Sequence, residues 1–269
     1  GVQTCALPIS TPDFSGIWTH PFWPGFDPPP SGPGPVTNRK RTRSGAGDGN
    51  QLVGDYTNPI LKPEAAAKVR SHGDLSLSNK TYLTPANQCW PQPVPYILWT
   101  IDIQMIQTPD EVVILYSNPN HEVRHVRMNA KHATPVTPSW YGDSIGHYEG
   151  DTLVVDTIGI DKRSWLDGYG TPHTEQLHLV ERFHLIEGGE VLEVNVRVED
   201  PGAFTTPWNA IERYRKYEAA VRKVPIERLT QLASTEEGPL RERACAENPS
   251  SFFAGQDALP IPQADKPDF

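Results

Sequence analysis

From Tyr96 to Tyr217 apolar and polar residues alternate, and turn residues break the alternation about every 8 to 12 positions. Successive side chains of a strand face opposite sides, so this pattern predicts strands with one buried face and excludes a helical bundle. The runs are 97–107, 111–117, 122–128, 145–148, 152–157, 174–186, 191–200 and 209–217. The joints at 108–110, 118–120, 149–151 and 187–189 are built from Pro, Asn, Asp and Gly, the residues of tight turns. Strands joined so closely pair antiparallel. The expectation is a mainly β fold, an antiparallel meander closing into a calycin-like or lipocalin-like barrel, with a β-sandwich as the alternative.

The flanks read differently. Proline makes up 28 of the 269 residues, about twice its usual share, and is dense between residues 10 and 50. Such a stretch forms neither ladder nor helix, and its aromatic residues Phe14, Trp18, Phe22, Trp23 and Phe26 predict that it wraps the domain as extended chain. Within residues 10–95 one short helix is expected at 63–72, opened by Pro63. Residues 218–269 are expected to hold a helix at 225–234 and a polar tail packed on the barrel. Residues 1–9, GVQTCALPI, resemble the translation of a sequencing adaptor and are expected to lie outside the fold. Cys5 goes with them; Cys89 and Cys245 either close a long loop as a disulfide or remain two thiols. No apolar run reaches the length of a membrane-spanning helix. The net charge of −9, with no basic block longer than residues 39–43, argues against nucleic acid as a partner.

Several motifs carry possible chemistry. Gly142-Asp143-Ser144-Ile145-Gly146 matches the G-x-S-x-G nucleophile elbow, but another strand follows it where the elbow needs a helix, so it reads as two glycines at a sheet bend. Seven of the nine histidines lie between His121 and His184, without the spacing of a metal site, and no metal or other cofactor is assigned. Asn79-Lys80-Thr81 is a formal glycosylation sequon. In the 173–183 segment, period two puts Glu175 and Glu181 in the apolar row with Leu177, Leu179 and Phe183. A carboxyl group lining a hollow has its pKa raised by desolvation and lowered by a neighbouring cation, so His173, Glu175 and Glu181 are the candidate proton-handling groups. The two carboxylates lie roughly 20 Å apart along one strand, too far to act as a pair without partners from other strands. The competing expectation is that both are structural, bonded across the ladder to an arginine such as Arg124 or Arg197. Trp140, Tyr141, Trp165 and Tyr169 are expected to shape a barrel mouth for a planar or sugar-like ligand, or else to plug it.

The chain resembles an uncharacterised family of bacterial, predominantly exported proteins. The resemblance rests on Pro12-Asp13-Phe14-Ser15-Gly16-Ile17-Trp18, on the stretch from Ser144 to Thr157, on His173-Thr174-Glu175 with Glu181-Arg182-Phe183, on Glu199-Asp200-Pro201 and Pro207-Trp208, and on Ala244-Cys245-Ala246-Glu247-Asn248. It departs at Tyr148 and Ala246, where the family shows tryptophan and histidine. It implies a periplasmic or extracellular location and no particular reaction. The combined expectation is an exported barrel that binds a small organic ligand and acts on it as an acid–base hydrolase or lyase, or a non-catalytic binding or envelope-associated module. The oligomeric state is left open.

Overall fold

The alternating segments form strands, and the strands close a barrel in sequence order. They are β1 (Gly16–Thr19), β2 (Ile103–Gln107), β3 (Glu111–Tyr116), β4 (Val123–Met128), β5 (Asp143–Glu149), β6 (Thr152–Ile158), β7 (His178–Ile186), β8 (Val191–Glu199) and β9 (Trp208–Lys216). The structure, a computed structural model, describes residues 11–20, 25–39, 51–78, 82–85, 88–99, 102–117 and 122–218. Residues 1–9, Phe22, Trp23, the 79–81 sequon, His121, the expected 225–234 helix, Cys245 and the tail from 219 lie outside the described residues. Helix α1 (Pro63–Leu77) begins at Pro63 as expected and runs five residues past the expected end.

Three expectations about the sheet are corrected. The stretch 97–107 is not one strand: Tyr96–Trp99 forms a single 3-10 turn, buried throughout, and β2 starts at Ile103. The strand expected from Thr174 starts at His178. The meander is not antiparallel everywhere. Strand β1, drawn from the proline-rich segment, pairs with both β2 and β9 and makes the ninth member of the ring. Directions that alternate around a closed ring return in phase only for an even number of strands, so nine strands require a parallel pair. That pair is β4–β5, joined by residues 129–142, a connection long enough to return the chain to the same end. A Cβ at Gly146 would lie 2.8 Å from Val126 Cγ1 and 2.9 Å from Met128 Sδ, so the second glycine of the G-x-S-x-G stretch serves close packing at this junction.

The pairing register carries one face around the whole ring. Trp18 opposes Ile103, Ile103 opposes Tyr116, Ile114 opposes Arg124, Val126 opposes Ser144, Thr157 opposes Leu179, Glu181 opposes Val196 and Leu192 opposes Tyr214. These residues are buried and fill the interior. Trp18, Ile103, Ile114, Leu153, Val155, Leu179, Phe183, Val194 and Tyr214 touch neither solvent nor a water-sized void, since all are 0% exposed. Gln107, the last residue of β2, donates to the Tyr148 hydroxyl on β5 at 2.7 Å and to the Pro12 carbonyl at 3.0 Å. The proline-rich segment wraps as expected: Phe26 and Val36 are buried, Asp27 bridges Ile211, and the Asn209 N–H reaches the Pro33 carbonyl.

Candidate functional site

Glu181 points inward, as its register predicts, but not into a hollow. Its two carboxylate oxygens take Arg124 Nη1 at 2.9 Å and Nη2 at 2.5 Å. The same guanidinium reaches Ser144 Oγ at 3.0 Å and Thr157 Oγ1 at 2.6 Å, and those hydroxyls lie 2.9 Å apart. Every member of this network is buried. A buried polar group must be hydrogen-bonded, and here each charge and hydroxyl has its partner inside the barrel. Ser144, the serine of the elbow-like stretch, therefore belongs to an interior ion-pair network rather than a nucleophile's turn.

Glu175 is a correction. It sits in the turn before β7, its side chain is 64% exposed, and Lys162 Nζ lies 2.7 Å from Oε1. The strand begins at His178, so period two never governs Glu175, and it shares no site with Glu181. The aromatic quartet also separates. Tyr169 packs its ring 5.2 Å from that of Trp99 and is core. Trp140 lies under the Arg163 guanidinium at 4.7 Å. Burial and the adjacent Glu122 carboxylate push the Tyr141 phenol far above its ordinary range. Tyr169 borders a void of about 10 Å³ beside Trp99 and Asp167, while Trp165 lines a cavity.

That cavity, about 350 Å³, lies outside the barrel between α1 and the 162–172 loop. The loop is held from below. Asp167, itself buried, accepts the Tyr169 and Thr171 N–H groups at 2.8 and 3.1 Å, and the Leu166 N–H reaches the Thr171 carbonyl. At Gly170 the backbone takes φ +72° and a Cβ would meet the His72 ring at 3.0 Å, so glycine is required both for the turn and for the approach to α1. On the helix, Ala65, Val69, His72 and Gly73 form the buried stripe, which aims His72 at the loop.

His72 is 7% exposed, and its ring meets Trp165 and Tyr82 edge-on at 5.0 and 5.3 Å. Among the described residues the Leu52 backbone is the one hydrogen-bonding group facing the ring, and at most one of the two nitrogens is satisfied by it. Burial holds its imidazole down at about 4, with the Leu52 backbone opposing part of the shift, so the ring is neutral at physiological pH. Lys68, Lys162 and Arg163 line the same cavity, with Ser164 and Trp165 between the loop cations and the helix.

His173, expected to handle protons, is buried against this cavity's wall. Its Nε2 lies 2.8 Å from Ser164 Oγ and its Nδ1 lies 3.0 Å from the Thr174 carbonyl. Asp200 accepts Thr174 N–H at 2.5 Å and Thr174 Oγ1 at 2.7 Å, which fixes the residue bearing that carbonyl. The sequence reading missed Ser164, Lys68 and His72. His72 was detectable as a polar member of the helix's buried stripe; nothing local marks Ser164 as a partner of His173. On the barrel's outer surface His132 Nε2 and His178 Nε2 converge on Asp156 Oδ1 at 3.0 and 2.9 Å. Among the described residues no group of three or more His, Cys, Asp or Glu side chains has the arrangement of a metal site. Comparison with known protein families, with curated proteins and with solved structures found no match.

Proposed function

We propose that the chain is a small-molecule-binding protein whose barrel is a solid scaffold and whose ligand sits outside it, between α1 and the 162–172 loop. The observation that carries this reading is His72, a buried imidazole in the wall of a cavity of about 350 Å³, which faces the Leu52 backbone and keeps at least one ring nitrogen without a partner among the described residues. An unsatisfied buried polar group costs about 1 to 3 kcal/mol, and a bound ligand that supplies a donor or acceptor removes that penalty. The volume suits a small organic molecule. Lys68 in the lining favours an anionic group, beside Lys162 and Arg163, which are paired with Glu175 and Asp161, while Trp165, Tyr82 and His72 favour a planar one. The ligand class is a small aromatic or planar organic anion.

An exported location belongs to the same reading. Its support is the disulfide at Cys89, since disulfides persist in oxidising compartments; Cys245, the expected partner, lies outside the described residues. Acid–base chemistry by Glu175 and Glu181 is not part of the reading, because one is paired in solvent and the other is sealed in the barrel.

The test is saturation-transfer NMR with benzoate as the probe and benzyl alcohol as its neutral counterpart. Saturable benzoate binding, stronger than that of benzyl alcohol and weakened at least fivefold by Lys68→Glu or His72→Phe, is the expected result. Absence of saturable binding, or binding indifferent to both substitutions, overturns the reading.

A further inference from the structure

We infer that Ser164 and His173 form a nucleophile–base pair that hydrolyses small carboxylic esters bound in the α1–loop cavity. This rests on the ligand site proposed above and adds a reaction to it. The geometry decides the proton positions. A backbone carbonyl only accepts, so the nitrogen facing Thr174 O, Nδ1, carries the imidazole proton. Nε2 is then left with a lone pair directed at Ser164 Oγ, 2.8 Å away. Burial holds the His173 imidazole below its ordinary value, which keeps it neutral and able to accept a proton.

The Asp161 carbonyl is a second acceptor near the same hydroxyl, at 2.9 Å. It already takes the Ser164 N–H at 3.0 Å and so does not depend on the hydroxyl. Its presence gives the pair two satisfied states. With neutral imidazole the hydroxyl donates to Nε2; with imidazolium, Nε2–H donates to Oγ and the hydroxyl turns to Asp161. The hydrogen bond to the Thr174 carbonyl, the Asp200 and Asp161 carboxylates and the Asp161 carbonyl all favour the charged imidazole, opposing the effect of burial. A base that is neutral at rest and stabilised when protonated is what nucleophile activation requires. Ser164 lines the cavity between Lys162 and Trp165, and the Trp165 N–H, one residue beyond the nucleophile, has no acceptor among the described residues. That N–H is the donor available to a developing oxyanion, since the Lys162 ammonium is paired with Glu175.

The reaction balances with water as co-reactant. Ser164 Oγ bonds to the ester carbonyl carbon while its proton passes to His173 Nε2, and the carbonyl electron pair moves onto oxygen. Collapse breaks the bond to the alcohol oxygen, and the alcohol leaves with the proton from Nε2. Water then repeats the sequence on the acyl-serine, its proton passing through Nε2 to Ser164, and the carboxylic acid departs.

The full chain is incubated with p-nitrophenyl acetate and, separately, with a fluorophosphonate probe. The expected results are a nitrophenolate burst stoichiometric with protein, a phosphonyl adduct mapped to Ser164, and a rate that falls on acidification as His173 protonates. Ser164→Ala and His173→Gln should each lower kcat/KM by about a thousandfold. Ser164→Cys guards against misfolding: its thiol should react with iodoacetamide faster in the His173 background than in His173→Gln, a difference a purely structural contact would not produce. An adduct on another residue, hydrolysis insensitive to Ser164→Ala, or equal alkylation rates overturns the inference. Benzoate binding in a wild-type protein without turnover or labelling overturns only the ester chemistry, whereas loss of benzoate binding overturns the site itself.

Discussion

Glu181 and Arg124 sit face to face inside the barrel, and their consequence for stability depends on which partner is removed. Two charges withdrawn from water are tolerated because their attraction and the hydroxyls of Ser144 and Thr157 replace lost hydration. Glu181→Ala leaves a guanidinium buried without a counter-charge and should destabilise the fold by about 3 to 5 kcal/mol in urea unfolding. The double variant Arg124→Met/Glu181→Leu removes both charges and leaves the Ser144–Thr157 hydroxyl pair bonded to itself, so it should recover most of that loss. Equal destabilisation by the single and double changes would show that packing volume, not the unpaired charge, is the cause. Of the two carboxylates in one sequence row, the pattern located Glu181 correctly because β7 extends through it. It misplaced Glu175 because the chain leaves the sheet before reaching it.

The 162–172 loop is the element on which the proposed site depends, and one buried acid controls it. Burial raises the Asp167 carboxyl from its ordinary value to about 6, with the Thr171 and Tyr169 contacts opposing the shift in part. The folded state therefore binds this proton more tightly than the unfolded chain does. Between about pH 4 and pH 6 the native state holds more protons at this group, and its contribution to stability falls as pH rises through that window. Asn in place of Asp167 can still accept backbone N–H groups but does not titrate. Relative to Asp167→Asn, the wild-type protein should gain a few degrees in Tm on going from pH 7 to pH 4.5, read by paired thermal melts. A difference that stays constant with pH would remove Asp167 from control of the loop. No alternation or turn signature announces this role; it arises because Tyr169 and Thr171 fold back over a carboxylate that Trp99 and Tyr96 help to seal.

For the whole molecule, closure is the decisive event. Strand β1 is only four residues long, yet it joins β2 to β9 and places Trp18 and Phe14 in the interior. Without it, β2 and β9 become free edges, and exposed edges template pairing between chains. Burial of Trp18 alone makes its truncation to alanine worth about 3 to 5 kcal/mol. A chain beginning at Pro24 should lose cooperative melting or elute as higher oligomers in size-exclusion chromatography. A monomer with unchanged Tm would show that the remaining eight strands close by themselves. The parallel β4–β5 pair belongs to this scale too, because it follows from the count of strands in the ring and not from any residue within the pair.

The sequence by itself determined that residues 103–216 form a ring of short strands, that Glu181 lies in the buried row of β7, and that α1 starts at Pro63, because period-two alternation, turn chemistry and a helix-opening proline act over a few residues. Tertiary structure alone decided that β1 completes the ring, that one pair runs parallel, that the interior is filled, and that Ser164, His173 and His72 meet beside one cavity. Those outcomes depend on contacts between segments separated by long stretches of chain, where closure, packing and the satisfaction of buried polar groups select the partners.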